Sequence, residues 1–472
     1  MDNRYKYLIK NTGVLTISNF SSKILTFLMV PLYTNVLTTA EYGTYDLSIS
    51  TVSLLTPILS LNVVDGVMRY SMDARYDRAE VFTTGFRYTV LATFMFSLLL
   101  FANSTIHLVN VFCGNELLII LYFVTSLLYS LITQFAKGCE AVKQMAIAGI
   151  ISTVILVSTN ILLLLVVKLG VTGFFIASAA SQLAPSIYLG CKLKIWKYVR
   201  FHISKNVQEE ITKYSVPLIL TAISWWINNA SDKYVVSFVM GIAANGILSV
   251  SYKIPTILNT VQQLFLQAWQ ISAVKEYAED SNKFYTKTFQ VIDALMSLLA
   301  VGLILSTKLL ARFLYAKDFF VAWKYVPFLL VSSVINTASG YLGAILSAKK
   351  DSKTMGRSAA ISAIVNTILN VIFVYWIGIQ GATIATALSS FLIFIIRFKH
   401  TKEVLPNRAA VTSLIAWLFL CMAAGFYVYS NHYILLAIPV IGIFVCYKQV
   451  YISLIYRVRN SAKRLTQECH NK

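Results

Sequence analysis

Between Tyr214 and Gln270, two otherwise apolar stretches carry Asn228, Asn229, Asp232, Lys233, Lys253, Asn259, Gln262, Gln263, Gln267 and Gln270. Side chains of this kind cost several kcal/mol each at bilayer depth unless they meet partners or a wetted cavity. Amides can satisfy a hydroxyl-rich cargo, lysines can attract an anion as movable point charges, and buried carboxylates can carry a proton or a cation. At 100° per residue, Tyr252, Thr256, Asn259, Gln263, Gln267 and Gln270 stay within about 80° of one another, with Lys253 at the border. A row of amides running the length of one span reads as a wetted wall, with interhelical hydrogen bonding as the alternative.

An earlier stretch, residues 12–36, repeats the theme: Asn19, Ser22, Lys23, Thr26 and Tyr33 share one helical face, and Lys23 sits too deep to reach either surface. In residues 214–238, Thr221, Ser224, Asn228 and Asp232 form a stripe, while Lys233 lies about 100° away from Asp232. Asp232 is expected to pair with Lys23 or Lys253, and Lys233 either to face the cargo or to snorkel outward. Asp65 is expected to pair with Arg69 one turn on. Asp293 has no cation at i+3 or i+4 and is a candidate for a protonatable coupling carboxylate. The binding set is therefore Lys23, Lys253, Lys233, Asn19, Asn228, Asn259, Gln263 and Gln267, with Asp232 and Asp293 for coupling or charge pairing.

The elements that must position these residues are membrane helices. With 57 % hydrophobic and only 13 % charged residues in 472, the chain is too apolar for a soluble globule. Repeated apolar stretches long enough to cross roughly 30 Å as helices exclude a β-barrel. Fourteen spans are predicted, so the fold class is an all-α polytopic membrane protein. With the N-terminus inside, 32 of the 40 lysines and arginines fall in inner segments and 5 in outer ones, the asymmetry that orients a multi-pass protein. Both termini are then cytoplasmic. The opening MDNRYKYLIKN precedes a span without a small-residue cleavage site and reads as a retained anchor. Residues 308–324, which hold four of the outer cations, are expected to form an amphipathic helix on the outer surface.

The basic segment 192–213 divides the chain near its middle. Across it, TTAEYGTYDLS at 38–48 resembles GIAANGILSVS at 241–251, with Ala40 and Gly43 matching Ala243 and Gly246 at a constant offset of 203. Parallel repeats of this kind predict two six-helix bundles related by a pseudo-two-fold along the membrane normal, residues 1–212 and 213–398, followed by two further helices and a basic tail in 399–472. Substrate sites in such proteins lie between the halves.

The net charge of +20 is explained by inner loops, so no nucleic acid is expected. Six scattered cysteines show no metal-binding spacing, and neither a metal nor a cofactor is expected. Nucleotide-binding and hydrolase motifs are absent and the outer loops are short, which argues against an enzyme such as a glycosyltransferase or polymerase.

The opening NTGVLTISNFSSKILTFLMVPLYTNVLTTAEYGTYDL and the later SDKYVVSFVMGIAANGILSVSYKI resemble the Wzx-type polysaccharide (O-antigen or capsule) flippases of the multidrug/oligosaccharidyl-lipid/polysaccharide exporter superfamily. The resemblance implies alternating access of two bundles around a central cavity, in the bacterial inner membrane. It implies as cargo an undecaprenyl-diphosphate-linked oligosaccharide, with membrane lipids around it, H+ or Na+ as coupling ions, and a polysaccharide polymerase and chain-length regulator as partners. Lys23, Lys253 and Lys233 would then meet the diphosphate, the amides would meet the sugars, and Trp225, Trp226 and Trp269 could stack on sugar rings. A lipid II flippase and an ion-coupled multidrug exporter of the same superfamily remain the alternatives.

Overall fold

The computed structural model describes residues 25–107, 109–200, 204–276, 282–349, 351–430, 432–453 and 456. Among them the chain is helical, without strands. Two compact units emerge from the packing: residues 1–250 with 313–320, and residues 251–312 with 321–472.

The first unit holds α1 (Val30–Val36), α2 (Thr39–Leu59), α3 (Val63–Ser71), α4 (Arg78–Ile106), α5 (Glu116–Gly138), α6 (Val142–Asn160), α7 (Gly170–Leu193), α8 (Lys205–Met240) and α9 (Ile242–Ser251). The second holds α10 (Pro255–Glu276), α11 (Asn282–Leu314), α12 (Val326–Ala348), α13 (Ser352–Ile377), α14 (Ile379–Lys399), α15 (Asn407–Tyr429) and α16 (Ala437–Cys446). Nine helical segments are long and apolar enough to cross a membrane among the described residues, and ten if the bent pair α2 and α3 is one span. The other four predicted spans fall on α1, on α8, on α9 with α10, and on α16. Polar residues at 221, 224, 228, 229, 232 and 233 interrupt α8 and lower its apolarity. Phe94, Leu98, Phe101, Leu117, Tyr375 and Trp376 point outward, as hydrocarbon rather than water permits.

Local chemistry explains the breaks. Thr38 caps α2 with Glu41 in a reciprocal capping box. Pro57 lies inside α2, and Leu61 and Asn62 adopt left-handed φ values of 49° and 51°, so α3 leaves at 62° to α2. Each unit has its own core. Phe96 stacks on Phe123 in the first, while α12 is the most enclosed apolar helix of the second.

The two matched segments meet within the first unit. A methyl on Gly43 would lie 2.1 Å from the Ile242 carbonyl oxygen, and one on Gly246 would lie 1.9 Å from that of Thr39. Thr39 and Ile242 are themselves related by the offset of 203, as are Asp46 and Ser249, whose side chains are hydrogen-bonded at 2.6 Å. Reciprocal contacts of this kind are what a two-fold axis produces. Within this unit the two matched segments therefore meet as a local two-fold would bring them together.

Residues 308–324 do not form a surface helix. Residues 308–314 finish α11, and 317–324 are a tight 3-10 helix with Phe319 and Ala322 buried. Thr34 donates to the Leu314 carbonyl at 2.9 Å, the Lys317 ammonium donates to Asn35 O at 2.6 Å, and Phe319 packs edge-on against Tyr42. The cations of this segment mark a folded-in turn whose apolar residues found a core to enter.

Alanine at Gly43 or Gly246 should destabilise the chain by about 1–3 kcal/mol or more, because the neighbour is backbone and cannot rotate aside. Since both residues serve one contact, the double variant should cost clearly less than the sum of the singles. Thermal unfolding in detergent measures this, and wild-type melting of either single variant would refute the close approach.

Candidate functional site

In the first unit, α8 is stitched to α2 by polar contacts. The Trp226 indole donates to Ser50 O at 2.7 Å, and the hydroxyls of Thr51 and Tyr234 share a hydrogen bond. Between these lies an ion pair, with Lys233 Nζ 2.9 Å from Asp46 Oδ2 and 3.1 Å from Oδ1. Both side chains are 18 % exposed, and Ser249 of α9 donates to the same carboxylate. Lys233 therefore does not snorkel outward; its charge is taken up inside the fold. The sequence signal was present, since an aspartate at the start of one span and a lysine near the outer end of another each favour a partner, but nothing local joins residues 187 apart.

Trp226 and Lys233 fall on one side of α8, and Thr221, Ser224, Asn228 and Asp232 on the other. Asp232 is buried and accepts the Lys233 backbone N–H at 2.9 Å. Asn228, half-buried, and Asn229, exposed, both donate to carbonyls of their own helix, at 2.9 and 2.7 Å.

A cleft of about 340 Å³ opens beside the bend between α2 and α3, lined by Ser53, Asn62, Asp65, Thr221, Trp225 and Trp226. Asp65 accepts from the Asn62 amide at 3.0 Å and from Gln134 of α5 at 2.9 Å. The expected Asp65–Arg69 pair is not formed, because the left-handed turn at Asn62 presents an amide to the carboxylate first. Trp225 is 70 % exposed and available for stacking, whereas the Trp226 indole nitrogen is already committed to Ser50.

In the second unit, Lys253 is half-buried at the turn before Pro255 begins α10. Along α10, Asn259 is half-buried and Gln263, Gln267 and Gln270 are exposed. Trp269 faces the core instead, stacked 4.2 Å from Tyr341 and donating to its carbonyl at 3.2 Å. It cannot stack on a sugar. Asp293 is buried and accepts from Trp417 at 3.1 Å and from the Tyr447 hydroxyl, so two neutral donors stand where no local cation was available. Lys23 and Asn19 lie outside the described residues.

A family model described as "Polysaccharide biosynthesis protein" matches residues 8–271. No curated protein sequence matches the chain. Among solved structures, the lipid II flippase MurJ in an inward closed conformation aligns with a TM-score of 0.69 at 16 % identity, covering 93 % of this chain and 98 % of that one. An inward-facing multidrug resistance MATE family transporter of the MOP superfamily aligns with a TM-score of 0.64 at 14 % identity, covering 82 % and 98 %. A MOP superfamily transporter from Pyrococcus furiosus gives 0.54 at 13 % identity, covering 84 % and 93 %. At these identities the likeness speaks for the fold, that of multi-pass membrane transporters.

The Asp46–Lys233 pair generates a double-mutant cycle. Asp46→Asn and Lys233→Met should each cost about 3 kcal/mol by leaving a partner charge uncompensated. Their combination should fall short of the sum by at least about 1 kcal/mol in detergent unfolding, and strict additivity would show that the two groups do not interact.

Proposed function

The chain belongs to the polysaccharide biosynthesis protein family, and on that premise we propose that it moves an undecaprenyl-diphosphate-linked oligosaccharide from the inner to the outer leaflet of the bacterial inner membrane. The cargo would serve surface polysaccharide assembly, O-antigen or capsule. The observation that carries this reading is the amide row of α10: Gln263, Gln267 and Gln270 are exposed and Asn259 is half-buried, while Trp269 of the same helix enters the core. Lipid cannot satisfy such a row, and sugar hydroxyls can.

Transport would proceed by alternating access, the halves 1–212 and 213–398 rocking against each other with the loop 192–213 as tether. Lys253, joined by Lys23, would attract the diphosphate. Lys233 is already paired with Asp46, so its part would be to set the local field and hold α8 in place. Trp225 and the Asn228 stripe would line the sugar path, and the polyprenyl tail would stay in lipid. No covalent bond changes, and the driving force would be an H+ or Na+ gradient acting on Asp232 or Asp293. A polymerase and a chain-length regulator would take the product onward.

A second reading follows from the alignment with the MurJ flippase: lipid II carries the same diphosphate on different sugars, and the amide row would accept those as well.

The test is translocation in proteoliposomes. Wild type should flip an undecaprenyl-diphosphate oligosaccharide, while Lys253→Ala and Lys23→Ala should slow it at least about tenfold, the loss of one charge-assisted phosphate contact. Gln263→Ala with Gln267→Ala should weaken sugar selectivity more than rate. Faster movement of lipid II would favour the second reading, and movement of small cations without any polyprenyl lipid would replace both with a drug exporter.

A further inference from the structure

A cleft of about 1080 Å³ lies in the second unit where α11 begins, α15 begins and α16 ends. Five cations line it: Lys283 and Lys287 from the first turns of α11, Lys402 and Arg408 on either side of Pro406, and Lys448 just beyond α16. All five are exposed. The ion pairs among the described residues involve other cations. Glu403 is the one carboxylate in the lining, and Lys349 holds it at 2.9 Å, which keeps its pKa below the usual carboxylate range. Among the described residues the lining therefore gathers five cations around a single carboxylate, which a sixth cation, Lys349, already holds.

Inner loops are basic in most multi-pass proteins, but scattered loop cations spread apart in water, whereas these converge on one concavity from three separate helix termini. Behind the charged rim, Val291, Val404, Val445 and Val450 contribute an apolar wall, and Thr286 and Gln449 add neutral hydrogen-bonding groups. Charge at the mouth and aliphatic surface beside it match an amphiphile with a phosphate head and a hydrocarbon chain. Basic pockets between membrane helices recognise lipid phosphates in this way.

We propose that this cleft binds the phosphate head of an anionic lipid, the phosphate on the five cations and the acyl chain along the valine wall. The site uses no residue assigned to cargo translocation. Its failure would leave the flippase reading standing, and the reverse holds equally.

Binding is read by native mass spectrometry of the full chain in neutral detergent, with phosphatidylglycerol, cardiolipin and phosphatidylcholine as probes and inorganic pyrophosphate as a soluble phosphate. Wild type should prefer the two anionic lipids over phosphatidylcholine by at least about tenfold, and K287A/R408A should lose on the order of 25-fold, about fivefold per cation. The pair K192A/K194A removes two exposed cations from the first unit and should leave binding within about twofold. Displacement of the lipid by millimolar pyrophosphate would support phosphate as the recognised group. Pyrophosphate binding as tightly as the lipid would overturn the lipid assignment, since the chain would then add nothing. Equal losses in the two double variants, or equal affinity for phosphatidylcholine, would overturn the site altogether. Melting temperatures of both variants should match wild type, because all four side chains are exposed.

Discussion

Two helices reach backbone contact only where neither carries a Cβ, and the first unit turns on one such place. At Gly43 and Gly246 the backbones of α2 and α9 approach so closely that each glycine occupies the space beside the other segment's carbonyl. The approach brings Ser249 to Asp46 and lets the Asn245 amide donate to Gly43 O at 3.1 Å. Asp46, held from α9, is then in place for Lys233 of α8. A chain of polar contacts thus rests on two missing methyl groups.

Polar residues in this protein fall into two classes that composition does not separate. One class is consumed by the fold: Lys233 by Asp46, Asp65 by Asn62 and Gln134, Asp293 by Trp417 and Tyr447, and Arg397 by Ser358 and the Ser339 carbonyl. The other class, Gln267 and Gln270 of α10 among them, stays at a surface. Hydrocarbon makes an unmet group costly wherever it lies, so the first class buys rigidity and the second requires something polar to come and go.

Helices were legible in the sequence because apolar length is a local property: the predicted spans 116–136 and 409–429 reappear as Glu116–Gly138 and Asn407–Tyr429. The glycine match across the offset was also legible, although the contact between the two glycines was not. Partners were the harder part. Arg69 is one turn from Asp65 and lost to Gln134, 69 residues away, because a tertiary amide needs no favourable spacing. Trp225 and Trp269 both sit in apolar spans that carry polar side chains, and packing against Tyr341 marks the latter as core. Segment 308–324 has amphipathic periodicity, but periodicity does not say whether the apolar face meets lipid or the protein's own Tyr42.

The join between α2 and α9 also sets a timetable. At a synthesis rate of about 5–20 residues per second, Gly246 leaves the ribosome roughly 10–40 s after Gly43. For most of that interval Asp46 sits in a growing chain whose Lys233 has not yet been made, and Ser249 follows only after Gly246. Pausing anywhere in the intervening stretch lengthens the time for which Asp46 lacks these partners. Quality control has a natural checkpoint here: a chain that stalls before α9 displays an acidic, glycine-notched helix face that the finished protein conceals.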